Sequence, residues 1–336
     1  MIASIRPYLW LYVLYGLLSV ISLGSVPFSM EEAIVLTRSE ISVYKLILTP
    51  YSPLYLFVVH LWTTVSQHLI WVRFLGVLLG LVALLASPHF MRSMGGTHAL
   101  HGAMWILATS PFLIDQVRML APSQLALIIV SLSYICFYEY TRAGHWRWLC
   151  GWMIAVMAAM VVHGGLYYVA VVHIITMALY QERFKTRLRN WWLAQLPPLA
   201  LFSLLFGAQF NRFFADRISE FSTVYSAASQ WGRLGTKLSM PWNAIAAILV
   251  LVLLLSGLKC CGDWRKDSRH GMLVLGFAIP VMIWLIWLPH DFYALSALPC
   301  MAVLASMGIR QYPKWARQLL WTAIAITYGW SHWKLL

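Results

Sequence analysis

Charge is scarce in this sequence. Only 10% of its 336 residues are charged, whereas a soluble domain carries about 25%. Acidic residues are the scarcest of these, with 11 Asp and Glu against 24 Lys and Arg, while 61% of the chain is hydrophobic. This composition excludes an ordinary soluble domain and favours a protein that faces lipid over much of its surface.

Cysteine is also scarce, and sequence motifs for nucleotides or metals are missing. The chain has no Walker loop, no dinucleotide-binding glycine pattern, no G-x-S-x-G and no H-E-x-x-H, so a metal hydrolase is disfavoured. The cysteine spacing fits neither a zinc site nor a redox pair, and we interpret these residues as apolar packing groups with inert thiols. They are Cys136, Cys150, Cys260, Cys261 and Cys300.

Long apolar runs, in contrast, recur along the whole chain. A bilayer core of about 30 Å requires roughly 20 apolar residues per spanning helix. Each span must be helical, because lipid cannot form hydrogen bonds with the backbone. A barrel would alternate apolar and polar residues, whereas Ala244 to Leu258 is continuous. The sequence therefore predicts an all-α, polytopic transmembrane helical bundle of about 11 spans in a single domain, 1–336. The predicted spans are 8–26, 73–90, 99–116, 122–140, 149–162, 164–180, 191–208, 242–258, 271–289, 293–309 and 318–332.

The first loop, 27–72, contains two further helical segments. The stretch 53–71 is apolar but begins with Pro53 and contains polar residues near its end, so we expect it to lie on the membrane surface. A capping box that starts at Ser29 predicts a short helix within 30–46. Both segments are expected to be juxtamembrane helices on the outer face.

The distribution of cations indicates the orientation of these spans. With the N-terminus inside, 15 Lys and Arg residues fall on the inner side and 9 on the outer side, as the positive-inside rule requires. Most of the outer cations lie in the loops 27–72 and 209–241, whereas the inner loop from Gln181 to Asn190 is more basic per residue. The net charge of +13 is therefore interpreted as membrane orientation, and no nucleic acid is expected as a partner.

Seven of the 11 acids fall on the outer side, which makes that side the place to look for chemistry. Glu31 and Glu32 follow the first span, where they are either a general base or helix-start acids favoured by the helix dipole. Asp115 and Arg118 lie near the outer end of the third span. Ionisable groups at membrane depth are functional candidates. The charges of Asp115 and Arg118 can also simply neutralise each other on one helix face. His163, at a turn between two spans, is either a packing residue or a site residue.

Several short motifs occur in a fixed order between residues 8 and 309. They are an acidic pair, a Pro-Leu-Tyr stretch running to His-Leu-Trp, an Arg before a glycine-rich run, Ser-Pro-Phe before an acid and an Arg, a His-Gly turn, and a Tyr six residues before a Pro. In this order they resemble the GT-C superfamily of polytopic glycosyltransferases, which includes protein mannosyltransferases and lipid A aminoarabinose transferases. The matching residues are Glu31–Glu32–Ala33, Ser52–Pro53–Leu54–Tyr55, His60–Leu61–Trp62, Arg73, Gly76, Gly80, Ser110–Pro111–Phe112, Asp115–Gln116–Val117–Arg118, Val162–His163–Gly164, Tyr293 and Pro299.

The resemblance implies transfer of a sugar from a polyprenyl-phosphate donor to an acceptor on the outer face, with the prenyl tail among membrane lipid. It implies Glu31 and Asp115 as catalytic residues and an inverting displacement. It names no cofactor and leaves a divalent metal open. The expected location is a bacterial inner (plasma) membrane, with the site on the periplasmic face. The implied substrate-binding residues are Glu32, Lys45, Arg73, Arg118, His163 and Tyr293.

Two other functional classes stay open. Glu31 stands where the family usually has Asp, Asp115 precedes Gln116 by one position, and Phe292 replaces a late Arg. These departures keep open the alternative of a non-catalytic subunit that retains the fold within a larger membrane complex. A transporter of lipid-linked substrates would usually show internal repeats, and we find no repeat in the sequence. The sequence names neither the sugar nor the acceptor.

Overall fold

Helices form the regular structure of this chain. The computed structural model describes residues 6–21, 23–24, 30–40, 52–207, 241–262, 267–286 and 291–335, and no strand occurs in these ranges. Each predicted span overlaps a helix, which confirms the all-α bundle. The helices are α1 (Leu9–Val20), α2 (Met30–Ser39), α3 (Pro53–Thr63), α4 (Leu69–Ala108), α5 (Pro111–Val117), α6 (Ser123–Ala143), α7 (Trp146–Val162), α8 (Tyr168–Leu179), α9 (Gln181–Leu193), α10 (Leu196–Gly207), α11 (Pro241–Cys260), α12 (Ser268–Ile286), α13 (Asp291–Ile309) and α14 (Lys314–Leu335), with 3-10 helices at Arg6–Tyr8 and Gly164–Tyr167.

The chain is an integral membrane protein. Within the described ranges, α4 and α6 are long and apolar enough to cross a bilayer. Shorter apolar helices, including α7 and α8, accompany them. Helix α13 packs against α4, α6, α11 and α12, and therefore lies at the centre of the bundle. The predicted loop 209–241 lies outside the described residues except for Pro241.

Helix α4 consists of two spans that meet at Gly96. This glycine has φ 72° and ψ 174° inside the 40-residue element, a conformation that only glycine adopts readily. Gly76, in the first half, lies against Val117, which follows the second half. The chain has thus returned to its starting level, so the two halves run antiparallel.

The predicted third span, 99–116, is wrong at its C-terminal boundary. Helix α4 ends at Ala108, and a separate helix, α5, begins at Pro111. The Ser110 side chain accepts a hydrogen bond from the Leu113 amide at 3.4 Å and caps the new helix, and Pro at the first helical position needs no donor. Asp115 therefore lies on a short helix of its own.

Helix α6 defines the two ends of the bundle. Its 21 residues extend about 31 Å, close to the thickness of a bilayer core. At its start, Ser123 donates to the Gln116 side chain at 3.4 Å, and at its last turn the Thr141 carbonyl oxygen accepts from Arg187 of α9. We call the end of the bundle that contains Ser123 the Arg73 end, because the turn after α5 contacts α4, the helix of Arg73, there. We call the end that contains Thr141 the Arg187 end.

Helix α3 lies beside the bundle at the Arg73 end. Its 11 residues reach about 16 Å, too short to cross a bilayer, and its two faces differ, with Tyr55 and Val59 buried but Leu61 exposed. The rings of Trp62 and Trp71 stack at 4.4 Å, and each indole N–H donates to the other's carbonyl oxygen, at 2.7 and 3.2 Å. This clasp holds α3 to the start of α4, as expected for a juxtamembrane helix.

Candidate active site

Glu32 and Arg73 form a buried ion pair at the Arg73 end. Arg73 Nε and Nη2 donate to the two carboxylate oxygens of Glu32, each at 2.8 Å. The exposed fractions of the two side chains are 1% for Glu32 and 0% for Arg73. A bidentate arginine–carboxylate pair is among the stronger hydrogen-bonded arrangements in proteins, and pairing is what allows two charges to be buried together.

The ion pair also binds two backbone groups. Arg73 Nη1 donates to the Leu23 carbonyl oxygen at 3.0 Å, and the Leu120 amide donates to Glu32 Oε1 at 3.3 Å. The pair thereby joins four segments: the turn after α1, helix α2, helix α4 and the turn after α5. Glu31 is the neighbour of Glu32 on α2, so its backbone is held at this junction; its side chain lies outside the described atoms.

Arg118 caps the end of α1 at the same junction. Its Nη2 donates to the Leu18 carbonyl oxygen at 2.5 Å, where the helix dipole is negative. The side chain is only 2% exposed; burial lowers the pKa of Arg118, and the nearby charge of Asp115 opposes that shift. Among the described residues, Arg118 Nε has no hydrogen-bond partner, which leaves one donor of a buried cation available.

Two glycines allow these helices to come together. A Cβ on Gly76 would overlap the Val117 carbonyl oxygen, and one on Gly80 would overlap the Tyr15 hydroxyl. Arg73, Gly76 and Gly80 are spaced by three and four residues, so they share one face of α4. The motif at the start of the second span thus places α4 in direct contact with α5 and α1.

Tyr55 belongs to this site, although sequence reasoning did not select it. It is fully buried, and its hydroxyl has no hydrogen-bond partner among the described residues. Burial, with a smaller contribution from the charge of Glu32, raises the pKa of Tyr55 well above its usual value, so the hydroxyl keeps its proton. Its place in the Pro-Leu-Tyr stretch was the available signal.

The remaining predicted site residues lie near the Arg73 end or outside the described atoms. Helix α7 starts at the Arg187 end, so His163 at its C-terminus lies at the other, where its carbonyl oxygen accepts from Leu166 at 2.9 Å. Tyr293 is in the first turn of α13, three residues before Ser296, which accepts from the Tyr168 hydroxyl at 2.5 Å. The side chain of Tyr293 and all of Lys45 lie outside the described part of the chain.

The structure thus brings Glu32, Arg73, Arg118 and Asp115 together. Of the predicted residues, these four lie on α2, α4, α5 and the turn that follows α5. Within the described ranges, no group of three or more His, Cys, Asp or Glu side chains is arranged to hold a metal ion. The arrangement fixes α2, which carries Glu31 and Glu32, beside the buried cation Arg118.

The helix arrangement is that of the GT-C fold, as the motif order predicts. No protein-family model and no curated protein sequence matches this chain. Its structure is similar to ArnT from Cupriavidus metallidurans bound to undecaprenyl phosphate, with a TM-score of 0.58 and 14% identity over 95% of this chain and 63% of that one. It is also similar to the archaeal oligosaccharyltransferase AglB from Archaeoglobus fulgidus in complex with an inhibitory peptide and a dolichol-phosphate, with a TM-score of 0.62 and 11% identity over 98% of this chain and 56% of that one. The chain thus spans between half and two-thirds of the length of these proteins, and the likeness establishes the fold.

Proposed function

We propose that this chain is a membrane glycosyltransferase that moves a sugar from a polyprenyl-phosphate donor to an acceptor at the Arg73 end, on the outer face of the membrane. The observation that carries the proposal is the buried Glu32–Arg73 pair, which fixes α2 beside Arg118 and Asp115. The fold adds support, because similar structures hold undecaprenyl phosphate and dolichol-phosphate. A bacterial inner membrane with a periplasmic site is the location we propose.

The proposed reaction is a single displacement at the anomeric carbon. Glu31 takes the proton of the acceptor hydroxyl, the acceptor oxygen bonds to the anomeric carbon, and the bond from that carbon to the phosphate oxygen breaks. Polyprenyl phosphate leaves with the bonding electrons, and the anomeric configuration inverts. The positive charges of Arg118 and Lys45 stabilise the negative charge on the leaving phosphate.

The structure favours a different role for two residues that the resemblance implies as substrate contacts. Glu32 and Arg73 are each bonded to the other and to a backbone group, and both are almost fully buried. We therefore assign them to holding the site in shape. Asp115 orients Arg118 in this scheme, while His163 and Tyr293 stay proposed substrate contacts at the same end.

Release of polyprenyl phosphate tests the proposed reaction. Purified protein would be mixed with a panel of polyprenyl-phosphate sugars, and we expect Glu31→Gln to reduce release by about 10²-fold or more, since a positioned base contributes about 10²–10⁴-fold. The matched control is Glu182→Gln, which makes the same change at an exposed acid of the Arg187 end. Release that survives Glu31→Gln at the wild-type rate would remove Glu31 as the base.

A non-catalytic subunit with this fold is the second candidate. The observation in its favour is that Phe292 stands where the family usually has a late Arg, which removes a contact to the leaving phosphate. No release from any donor, with the protein folded and monodisperse, would favour this candidate. Its partner would then be sought among membrane proteins that co-purify with the chain.

A further inference from the structure

A basic amphipathic helix lies across the Arg187 end. Sequence reasoning treated Gln181 to Asn190 as an inner loop, but the structure forms a 13-residue helix there, α9. The helix has one acid, Glu182, which pairs with Lys185. Its four cations are Arg183, Lys185, Arg187 and Arg189.

One face of α9 anchors it to the bundle. Phe184 and Trp191 are buried, with Trp191 fully enclosed. The Trp191 ring lies 5.7 Å from that of Trp152 and 6.3 Å from that of Phe137. Arg187 donates to the Thr141 carbonyl oxygen at the end of α6. Positions 184, 187 and 191 repeat every three to four residues and so form one stripe, which fixes the orientation of the helix.

The cationic side chains on the other faces of α9 are exposed. Arg183, Lys185 and Arg189 are all exposed. A Cβ added to Gly144, in the turn between α6 and α7, would lie 3.0 Å from Arg187 Nε, so this turn adjoins α9. The turn is flanked by two more exposed cations, Arg142 and Arg147.

Exposed tryptophans mark the level of this surface in the membrane. Trp146 at the start of α7 is 69% exposed, and Trp192 near the end of α9 is 52% exposed. Tryptophan is enriched where the bilayer meets water, and the surface lies about 31 Å along α6 from the Arg73 end. The basic face is therefore at the depth of lipid headgroups.

We propose that α9 and the α6–α7 turn form a binding surface for anionic phospholipid headgroups of the leaflet at the Arg187 end. Clustered Lys and Arg beside a membrane attract anionic lipid, with each residue contributing on the order of fivefold. Charge complementarity and the exposed tryptophans favour a lipid surface over an acidic protein. The inference is independent of the proposed glycosyl transfer, because it concerns the opposite end of the bundle.

Selective lipid association tests this surface. The full chain would be reconstituted in phosphatidylcholine vesicles with a trace of spin-labelled phosphatidylglycerol or phosphatidylcholine, and the protein-immobilised fraction of each label measured by electron paramagnetic resonance. We expect a several-fold preference for phosphatidylglycerol at low salt that falls towards equality near 1 M salt, where the screening length is about 3 Å. The variant Arg183→Gln/Lys185→Gln/Arg189→Gln should lose most of that preference.

The control variant removes the same charge elsewhere at the same end. Lys259→Gln/Arg310→Gln/Lys314→Gln neutralises three exposed cations near the ends of α11 and α13 and should keep the preference. An equal loss of the lipid preference in both variants would mean that the preference reflects positive charge in general and not the α9 surface, and it would overturn the proposal. Wild-type protein without any preference would also overturn it and point to a protein partner, and this salt-dependent wild-type measurement stands even if a variant fails to fold.

Discussion

Replacing Arg73 with methionine should destabilise the protein by about 3–5 kcal/mol, the loss observed when one partner of a buried ion pair is removed. The change leaves the Glu32 carboxylate buried with its bidentate donor gone and removes the donor to the Leu23 carbonyl oxygen. The junction of α1, α2, α4 and the turn after α5 would lose its central contact. The measurement is thermal unfolding of the purified protein in detergent.

Two companion variants make the Arg73 result specific. Lys185→Met breaks the exposed pair with Glu182 and should change the unfolding temperature little, because exposed pairs contribute little. The double variant Glu32→Leu/Arg73→Met should recover part of the lost stability, since it removes the unpaired charge along with its partner. A single Arg73→Met variant as stable as wild type would show that the pair does not hold the site together.

The bundle and its short helices α2 and α3 could be predicted because they depend on properties that run along the chain. The length of an apolar run alone decides whether a helix can cross a bilayer. Pro53 and the polar residues after it similarly indicated that α3 would be short, and the structure ends it at Thr63. The boundary at Ser110 also had a sequence signal, since an N-cap residue followed by Pro predicts a helix start. The apolar run across this position favoured a single span instead.

The internal pairing of the candidate site could not be predicted in the same way. Glu32 and Arg73 are 41 residues apart, and the sequence marks each as a polar residue near the membrane without indicating a partner. Their other partners are backbone groups, the Leu23 carbonyl and the Leu120 amide, and backbone groups leave no trace in a sequence. Hence both residues were expected to contact substrate, whereas the structure joins them to each other.

Helix α9 was missed for a different reason, because a signal was present. Dense charge favoured a loop, but Phe184, Leu188 and Trp191 repeat with helical spacing through it. Charged and apolar residues that alternate at this period are typical of a helix at a membrane surface. The pattern of the apolar positions was therefore more informative than the total charge.

Replacing Gly308 with alanine should destabilise the crossing of α11 and α13 by about 3 kcal/mol or more, at or beyond the upper part of the range for overpacked cores. A Cβ at Gly308 would overlap the Leu253 carbonyl oxygen, and a Cβ at Gly257 would overlap the Leu304 carbonyl oxygen. Both obstacles are backbone atoms, which cannot rotate away as a side chain can. Small residues at such crossings let membrane helices approach closely, and α13 is the central helix of this bundle.

The unfolding temperature of Gly308→Ala should be compared with that of Gly16→Ala. Gly16 also lies within a helix, α1, but a Cβ there meets nothing within 4 Å. Alanine at that position should stabilise the protein by roughly 0.5–1 kcal/mol, because it restricts the unfolded chain and favours the helix. The same substitution thus has opposite expected signs at the two sites. If both variants instead shifted the unfolding temperature in the same direction by similar amounts, α11 and α13 would not be in backbone contact, and the central position of α13 would rest on side-chain packing alone.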